Sequence, residues 1–391
     1  MAAKLLFKGE MVTSDGIKSG FLLTTGETIL YVGEIMPKDL AENVVRIDIP
    51  ENAVLMPGMI DLHIHGAAGA DVMDGTEEAL QKMCAALPAE GTTSFLATTM
   101  TEKTERIEAA LQNTAQYMEK QQAGYAEILG IHLEGPFISP KRAGAQPKEY
   151  IVPPNVEQFK QWNEIAEKKI KLVTLAPEEP GGYELASFLK DNRIIASIGH
   201  SDAVYEDVMK SVEAGVTHAT HLYNGMRGMH HRDPGTAGGV MLRDEITAEI
   251  IADGIHSDGE MVKLAYKLKG SDKLVLITDA MRAKCLGEGM YTLGGQDVTV
   301  RDGTAVLKDG TLAGSVLKMN DAVKNMRQFT SCSIEEIVKM TSENPAKELG
   351  IYSSKGSLEA GKDADLVMMS KEGEVLAAFC RGKKAFEKGV S

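Results

Sequence analysis

The sequence predicts an α/β protein, a closed TIM-like (β/α)8 barrel carrying a small β-sandwich domain built from both chain termini. Three observations predict it. Eight apolar runs alternate with charged, helix-like stretches through the middle of the chain: VLMPGMIDLHIH, TTSFLATT, AEILGIHLEG, IKLVTLAP, RIIASIGHS, VTHATHL, EIIADG and KLVLITDA. The runs are nearly continuous in apolar residues, as strands covered on both faces must be, and eight of them are what a closed parallel barrel requires. No GxGxxG follows the first run, which speaks against a doubly wound open sheet.

The two ends of the chain have a different rhythm. KLLFKGEMVT, GFLLTTGETILYVGE and VVRIDIP are short segments punctuated by Gly and Pro, and GSLEAGKDADLVMMSKEGEVLAAFCRGKKAFEKG repeats that habit near the C-terminus. Such segments predict hairpin-like strands. Residues 1–57 and 355–391 are therefore expected to form one β module, and residues 58–354 the barrel.

Composition narrows the function. Against 42 Lys and Arg stand 56 Asp and Glu, a formal charge of −14 over 391 residues. That balance argues against general attraction to nucleic acid or an anionic membrane, so an anionic substrate would need locally placed cations. Cys84, Cys285, Cys332 and Cys380 form no CxxC pair and suggest reduced thiols rather than a thiolate zinc site. The apolar stretch at the N-terminus is broken by Lys8 and Gly9, too soon for a signal-peptide core, and no later run approaches a membrane span. A cytoplasmic location is expected.

Catalytic groups of a (β/α)8 barrel sit where strands end and loops begin. The first run ends Asp61-Leu62-His63-Ile64-His65, and alternation along a strand puts His63 and His65 on one face. The third ends His132-Leu133-Glu134-Gly135-Pro136, the fifth Gly199-His200-Ser201-Asp202, the sixth Thr217-His218-Ala219-Thr220-His221-Leu222-Tyr223-Asn224, and the eighth Thr278-Asp279-Ala280. A lone histidine in such a place is more often a satisfied interior residue than a ligand. Five strand tips carrying imidazole or carboxylate at one barrel mouth point instead to a divalent-cation site.

Taken in order, His-Leu-Glu-Gly-Pro, Gly-His-Ser-Asp, Thr-His-Leu-Tyr-Asn, His-Arg-Asp-Pro-Gly and Thr-Asp-Ala resemble the N-acetylglucosamine-6-phosphate deacetylase family of the amidohydrolase superfamily. The resemblance runs from PGMIDLHIHG to GSLEAGKDADLV. It implies removal of acetate from an N-acetylated amino-sugar phosphate by a metal-activated water. By this likeness Glu134, His200 and His221 hold the principal metal, His63 and His65 add a second site bridged by Glu134, and Asp279 is both ligand and catalytic acid–base. The resemblance implies a divalent cation, zinc, iron, manganese or cobalt, and the retained histidine pair predicts two per chain.

The resemblance also places substrate contacts at Ala145, Gln146, Asn224, Gly225, Arg232, His256, Leu312, Ala313 and Gly314. Some members offer a histidine after HLEGP to polarise the carbonyl; here Ala143-Gly144-Ala145-Gln146 supplies Gln146, which donates but does not titrate. Arg232 is the expected phosphate clamp, and in the family it reaches a neighbouring subunit's site, implying a homodimer. Arg227, His230 and His231 are expected on a solvated or interfacial loop, and Asp71 and Asp74 as loop caps. Two other functions compete: a cyclic-amide hydrolase of the dihydroorotase type, which shares the barrel and the HxH but gives no reason for HLEGP, and a silent scaffold, which the intact ligand set argues against.

Overall fold

The computed structural model describes residues 4–37 and 44–389. The chain begins with β1 (Lys4–Thr13), β2 (Gly16–Thr25), β3 (Thr28–Gly33), β4 (Val44–Asp48) and β5 (Ala53–Pro57). It then enters strand–helix repeats: β6 (Met59–Ile64), a short hairpin of β7 (Gly66–Ala67) and β8 (Ala70–Asp71), α1 (Glu77–Ala86), β9 (Thr92–Thr98), α2 (Thr104–Met118), β10 (Glu127–Glu134), α3 (Val156–Ile165), β11 (Ile170–Leu175) and α4 (Gly182–Asp191). The repeats continue with β12 (Ile195–Ile198), α5 (Tyr205–Ala214), β13 (Val216–Ala219), α6 (Gly235–Leu242), β14 (Thr247–Ile251), α7 (Gly259–Lys269) and β15 (Leu274–Ile277). After an antiparallel excursion, β16 (Gly289–Leu293), β17 (Gln296–Arg301) and β18 (Thr304–Val306), come α8 (Met319–Thr330), α9 (Ile334–Val338), α10 (Asn344–Glu348), β19 (Leu366–Ser370), β20 (Val375–Cys380) and β21 (Lys383–Glu387).

The predicted barrel is present. Its strands follow one another in parallel as β6-β9-β10-β11-β12-β13-β14-β15. A parallel bridge between Ile64 and Ala280, with Asp279 N–H donating to His63 O at 2.9 Å, joins the last strand to the first. Every residue of β9, β14 and β15 is buried, which is why these runs read as unbroken apolar stretches.

The remaining large sheet is made by both chain ends in the order β21-β20-β19-β5-β1-β2-β3, with β4 pairing β1. Because β1 carries three neighbours the sheet branches, and it encloses its own small core around Phe7, Leu22, Leu55, Leu366 and Phe379.

Two features depart from the sequence expectation. The run VLMPGMIDLHIH is two strands: β5 pairs with β19 of the terminal sheet and β6 with β9 of the barrel. The crossing point is Gly58, where an added Cβ would lie 2.0 Å from Thr93 Oγ1, so only glycine lets the chain pass between the sheets. The excursion β16–β18 was not foreseen. Its signal is the alternation of buried and exposed residues along QDVTVR, the pattern of a half-buried strand.

Asp71 and Asp74 are caps, as expected: Asp71 Oδ1 accepts from Met73 N–H and Asp74 Oδ2 from Asp71 N–H, both at 2.9 Å. All four cysteines are unpaired. No helix among the described residues is long and apolar enough to cross a membrane.

Candidate active site

One end of the barrel opens into a cavity of about 230 Å³. His65, Glu134, His200, His221 and Asp279 line it, and His63 lies fully buried behind them. Each sits at a strand end: His63 and His65 at β6, Glu134 as the last residue of β10, and His200, His221 and Asp279 two residues past β12, β13 and β15. These last three have left-handed backbones, φ 47°, 32° and 47°. Such conformations cost on the order of 1–3 kcal/mol each for non-glycine residues and persist where surrounding structure holds them.

The donors form two triads around one carboxylate. In the first, His200 and His221 Nε2 lie 3.2 and 3.1 Å from Glu134 Oε1 and 3.1 Å from each other. In the second, Asp279 Oδ1 lies 3.4 Å from His63 Nε2 and 3.2 Å from His65 Nε2. Glu134 faces both, with Oε1 3.4 Å from His63 and Oε2 3.3 Å from His65.

These residues fit a cation. His200 Nδ1 donates to Arg142 O at 2.8 Å and His221 Nδ1 to Asn224 O at 3.1 Å, which turns both Nε2 atoms, the ligating nitrogens of the neutral rings, toward each other and toward a carboxylate. That convergence is repulsive without positive charge between the atoms. Burial opposes ionisation of Glu134, but His63 and hydrogen bonds from His200 and His221 outweigh it and hold the carboxyl well below the usual range. Asp279 is likewise lowered against its burial by His63 and His65. The acidic side of the site is thus charged and ready to bind a cation.

Of the predicted contact residues, Ala145, Gln146, Asn224, Gly225, His256, Leu312 and Gly314 line the cavity. A Cβ at Gly225 would stand 2.9 Å from His200 Nδ1. His256 Nδ1 is fixed by Asp253 Oδ2 at 2.6 Å, a bond that raises its pKa against the effect of burial. One expectation needs correction. Ala313 is fully buried and does not line the cavity, its amide donating to Ala305 O at 3.0 Å. Gln146, in the lining, is held by Thr101 N–H donating to its Oε1 at 2.8 Å, which aims Nε2 at Glu134 Oε2, also 2.8 Å away, and uses one of its two N–H donors there. Arg232 is exposed, away from its own chain's cavity, against His231 Nε2 at 2.7 Å.

The loop residues Arg227, His230 and His231 also stay out of the cavity lining; Arg227 pairs with Asp202 and Asp233. Among the described residues, no Lys or Arg lines the cavity. Residues the sequence reasoning passed over are Met100, Gly144, Leu293 and Thr311 in the lining, and Glu249 and His218 behind His63. Met100 directly follows the second run, and a carboxylate opening the apolar run EIIADG was a readable signal for Glu249. His132 is the satisfied interior histidine: Nδ1 donates to Leu62 O, Nε2 accepts from Thr174 Oγ1 at 2.7 Å, and burial and His63 push its pKa down to about 3.

Known proteins share this architecture. The amidohydrolase family model matches residues 54–385. An N-acetylglucosamine-6-phosphate deacetylase of Bacillus subtilis (strain 168) is 51% identical over 99% of this chain and 98% of its own. An N-acetylgalactosamine-6-phosphate deacetylase of Escherichia coli O157:H7 is 33% identical over 96% and 97%. Among solved structures, the N-acetylglucosamine-6-phosphate deacetylase of Thermotoga maritima superposes with a TM-score of 0.88 at 36% identity, covering 98% of this chain and 100% of that one. A mutant of the Mycobacterium smegmatis enzyme in complex with N-acetyl-D-glucosamine-6-phosphate gives 0.90 at 27% identity, covering 98% and 99%.

Proposed function

The chain belongs to the amidohydrolase family and within it to the N-acetylglucosamine-6-phosphate deacetylases, and from that membership we propose how its residues hydrolyse N-acetyl-D-glucosamine 6-phosphate to D-glucosamine 6-phosphate and acetate. The observation that carries the proposal is the pair of donor triads sharing Glu134 at one barrel mouth.

Glu134, His200 and His221 would hold one cation, and His63, His65 and Asp279 a second, with Glu134 between them. Imidazole and carboxylate donors suit zinc, iron, manganese or cobalt. A bound dication acidifies water towards a pKa of about 7 and polarises an acyl oxygen, which supplies a nucleophile at neutral pH. Asp279, held ionised, accepts the proton released as water oxygen bonds to the acetyl carbon. It returns that proton to the nitrogen as the C–N bond breaks, because an amine departs where an amide anion does not. Gln146 holds Glu134 by a hydrogen bond from the cavity wall.

Asn224, Gly225 and His256 form the cavity side that would receive the sugar phosphate, with Leu312 and Gly314 against the sugar. A phosphate in a cavity that no Lys or Arg of the described residues lines calls for an imported cation, and Arg232 of a second copy would supply it, making the working unit a homodimer. Exposed Met229, in the same loop as Arg232, supports an interface there. The four unpaired cysteines are compatible with the reducing cytoplasm. Acetate release tests the function, measured on N-acetylglucosamine 6-phosphate beside N-acetylgalactosamine 6-phosphate, unphosphorylated N-acetylglucosamine and a cyclic amide. Preference for the cyclic amide would overturn it.

A further inference from the structure

Behind the cavity floor, carboxylates and imidazoles alternate in a line through the barrel. His63 Nδ1 lies 3.0 Å from Glu249 Oε2, Glu249 Oε1 lies 3.2 Å from His218 Nε2, and His218 Nδ1 lies 3.1 Å from Glu348 Oε2. Glu348 Oε1 accepts from Thr247 Oγ1 at 2.9 Å. Glu249 Oε2 also accepts the backbone N–H of His221 at 3.0 Å, so one carboxylate touches a residue of each donor triad. The side chains of His63, Glu249 and His218 are wholly buried, and that of Glu348 is 19% exposed.

The hydrogen-bond inventory fixes where the protons are. His218 stands between two carboxylates and donates from both nitrogens; burial opposes its charge, but Glu249 and Glu348 outweigh that and raise its pKa to about 9. Glu249 is then fully occupied as an acceptor, from His218 on one oxygen and from His63 and the His221 amide on the other. It has no proton to give. His63 must therefore carry a proton on Nδ1, which makes Nε2, facing Asp279 and His65, the nitrogen available to a cation.

We infer that Glu249 is a positioning residue that prepares the second cation site, fixing the ring of His63 by its Nδ1 so that Nε2 is the nitrogen presented to the cation. This rests on the two-cation proposal above. A carboxylate behind a ligating imidazole is worth roughly 10- to 100-fold in metal affinity. Removing it loosens the second site by that factor, whereas the first site, anchored through Arg142 O and Asn224 O, keeps its ligands in register.

The test is titration of cobalt(II) into metal-free protein, followed by calorimetry and by cobalt absorption. The wild type binds two equivalents. Glu249→Leu, which leaves His63 without an acceptor, binds one equivalent at wild-type strength and the second at least ~10-fold more weakly. Glu249→Gln, which still offers an oxygen to His63 and to the His221 amide, recovers most of that loss. Unchanged binding of both equivalents by Glu249→Leu overturns the inference, as does loss of both together, and so does a Gln variant no better than Leu. A wild type binding a single equivalent overturns the two-cation proposal and this one with it. Nitrogen-15 NMR of the zinc-loaded wild type needs no variant: a proton on His63 Nδ1 is expected, and its absence refutes the assignment.

Discussion

The floor and the rim of the cavity are built on opposite principles. On the floor, donor side chains rise from strand ends and are fixed by neighbours, His63 by Glu249 behind it, Glu134 by Gln146, His200 and His221 by backbone carbonyls. On the rim, Arg232 sits on an exposed loop against another surface side chain. The difference separates two requirements. Chemistry needs donors held to a fraction of an ångström before substrate arrives, and buried strand ends provide that. Phosphate recognition needs charge delivered to a cavity that no Lys or Arg of the described residues lines, which is the part proposed for Arg232 of a second copy.

The largest expected effect lies on the floor. Chelation should abolish activity, and two equivalents of metal per chain should restore it; full recovery at one equivalent would break the two-cation account while leaving the deacetylase activity intact. Thermal unfolding should follow, since metal present at 100 times its Kd stabilises by about 2.7 kcal/mol.

Next is Asp279→Asn, which keeps the shape and removes the base. A positioned acid–base group contributes about 10²- to 10⁴-fold, so turnover should fall by that much while substrate still binds. Near-normal turnover would move the base to His200 or His256.

Crossing to the rim, Arg232→Ala removes charge-assisted hydrogen bonds worth ~1.5–3 kcal/mol each, about ten- to a hundredfold in kcat/KM on the phosphorylated sugar and little on the unphosphorylated one. If the arginine acts across an interface, mixing Arg232→Ala with Asp279→Asn protein should recover activity, because a mixed dimer contains one site with both an intact Asp279 and a partner's arginine. No recovery in a demonstrated mixed dimer confines Arg232 to its own chain.

The smallest effect sharpens the floor. Gln146→Leu strands Thr101 N–H and frees one oxygen of Glu134, a loss on the order of 1–3 kcal/mol, read as weaker metal binding and a roughly tenfold drop in kcat. An unchanged metal affinity would mean Glu134 needs no support from that side.

The sequence alone determined the barrel, because burial on both faces forces each strand into a continuous apolar run, and it determined the floor, because residues such as His63 and His65 are tied to strand ends by local alternation. It could not separate β5 from β6, since VLMP and MIDLHI are equally apolar and only the Thr93 side chain packed against Gly58 shows where one sheet yields to the other. The tertiary structure alone decided that Gln146 serves Glu134, that Ala313 turns into the core, and that Glu249 stands behind His63, 186 residues away in the chain. Those are contacts between side chains distant in sequence. Which donor meets which acceptor there depends on how eight strands close into one ring, a geometry that no local pattern of residues encodes.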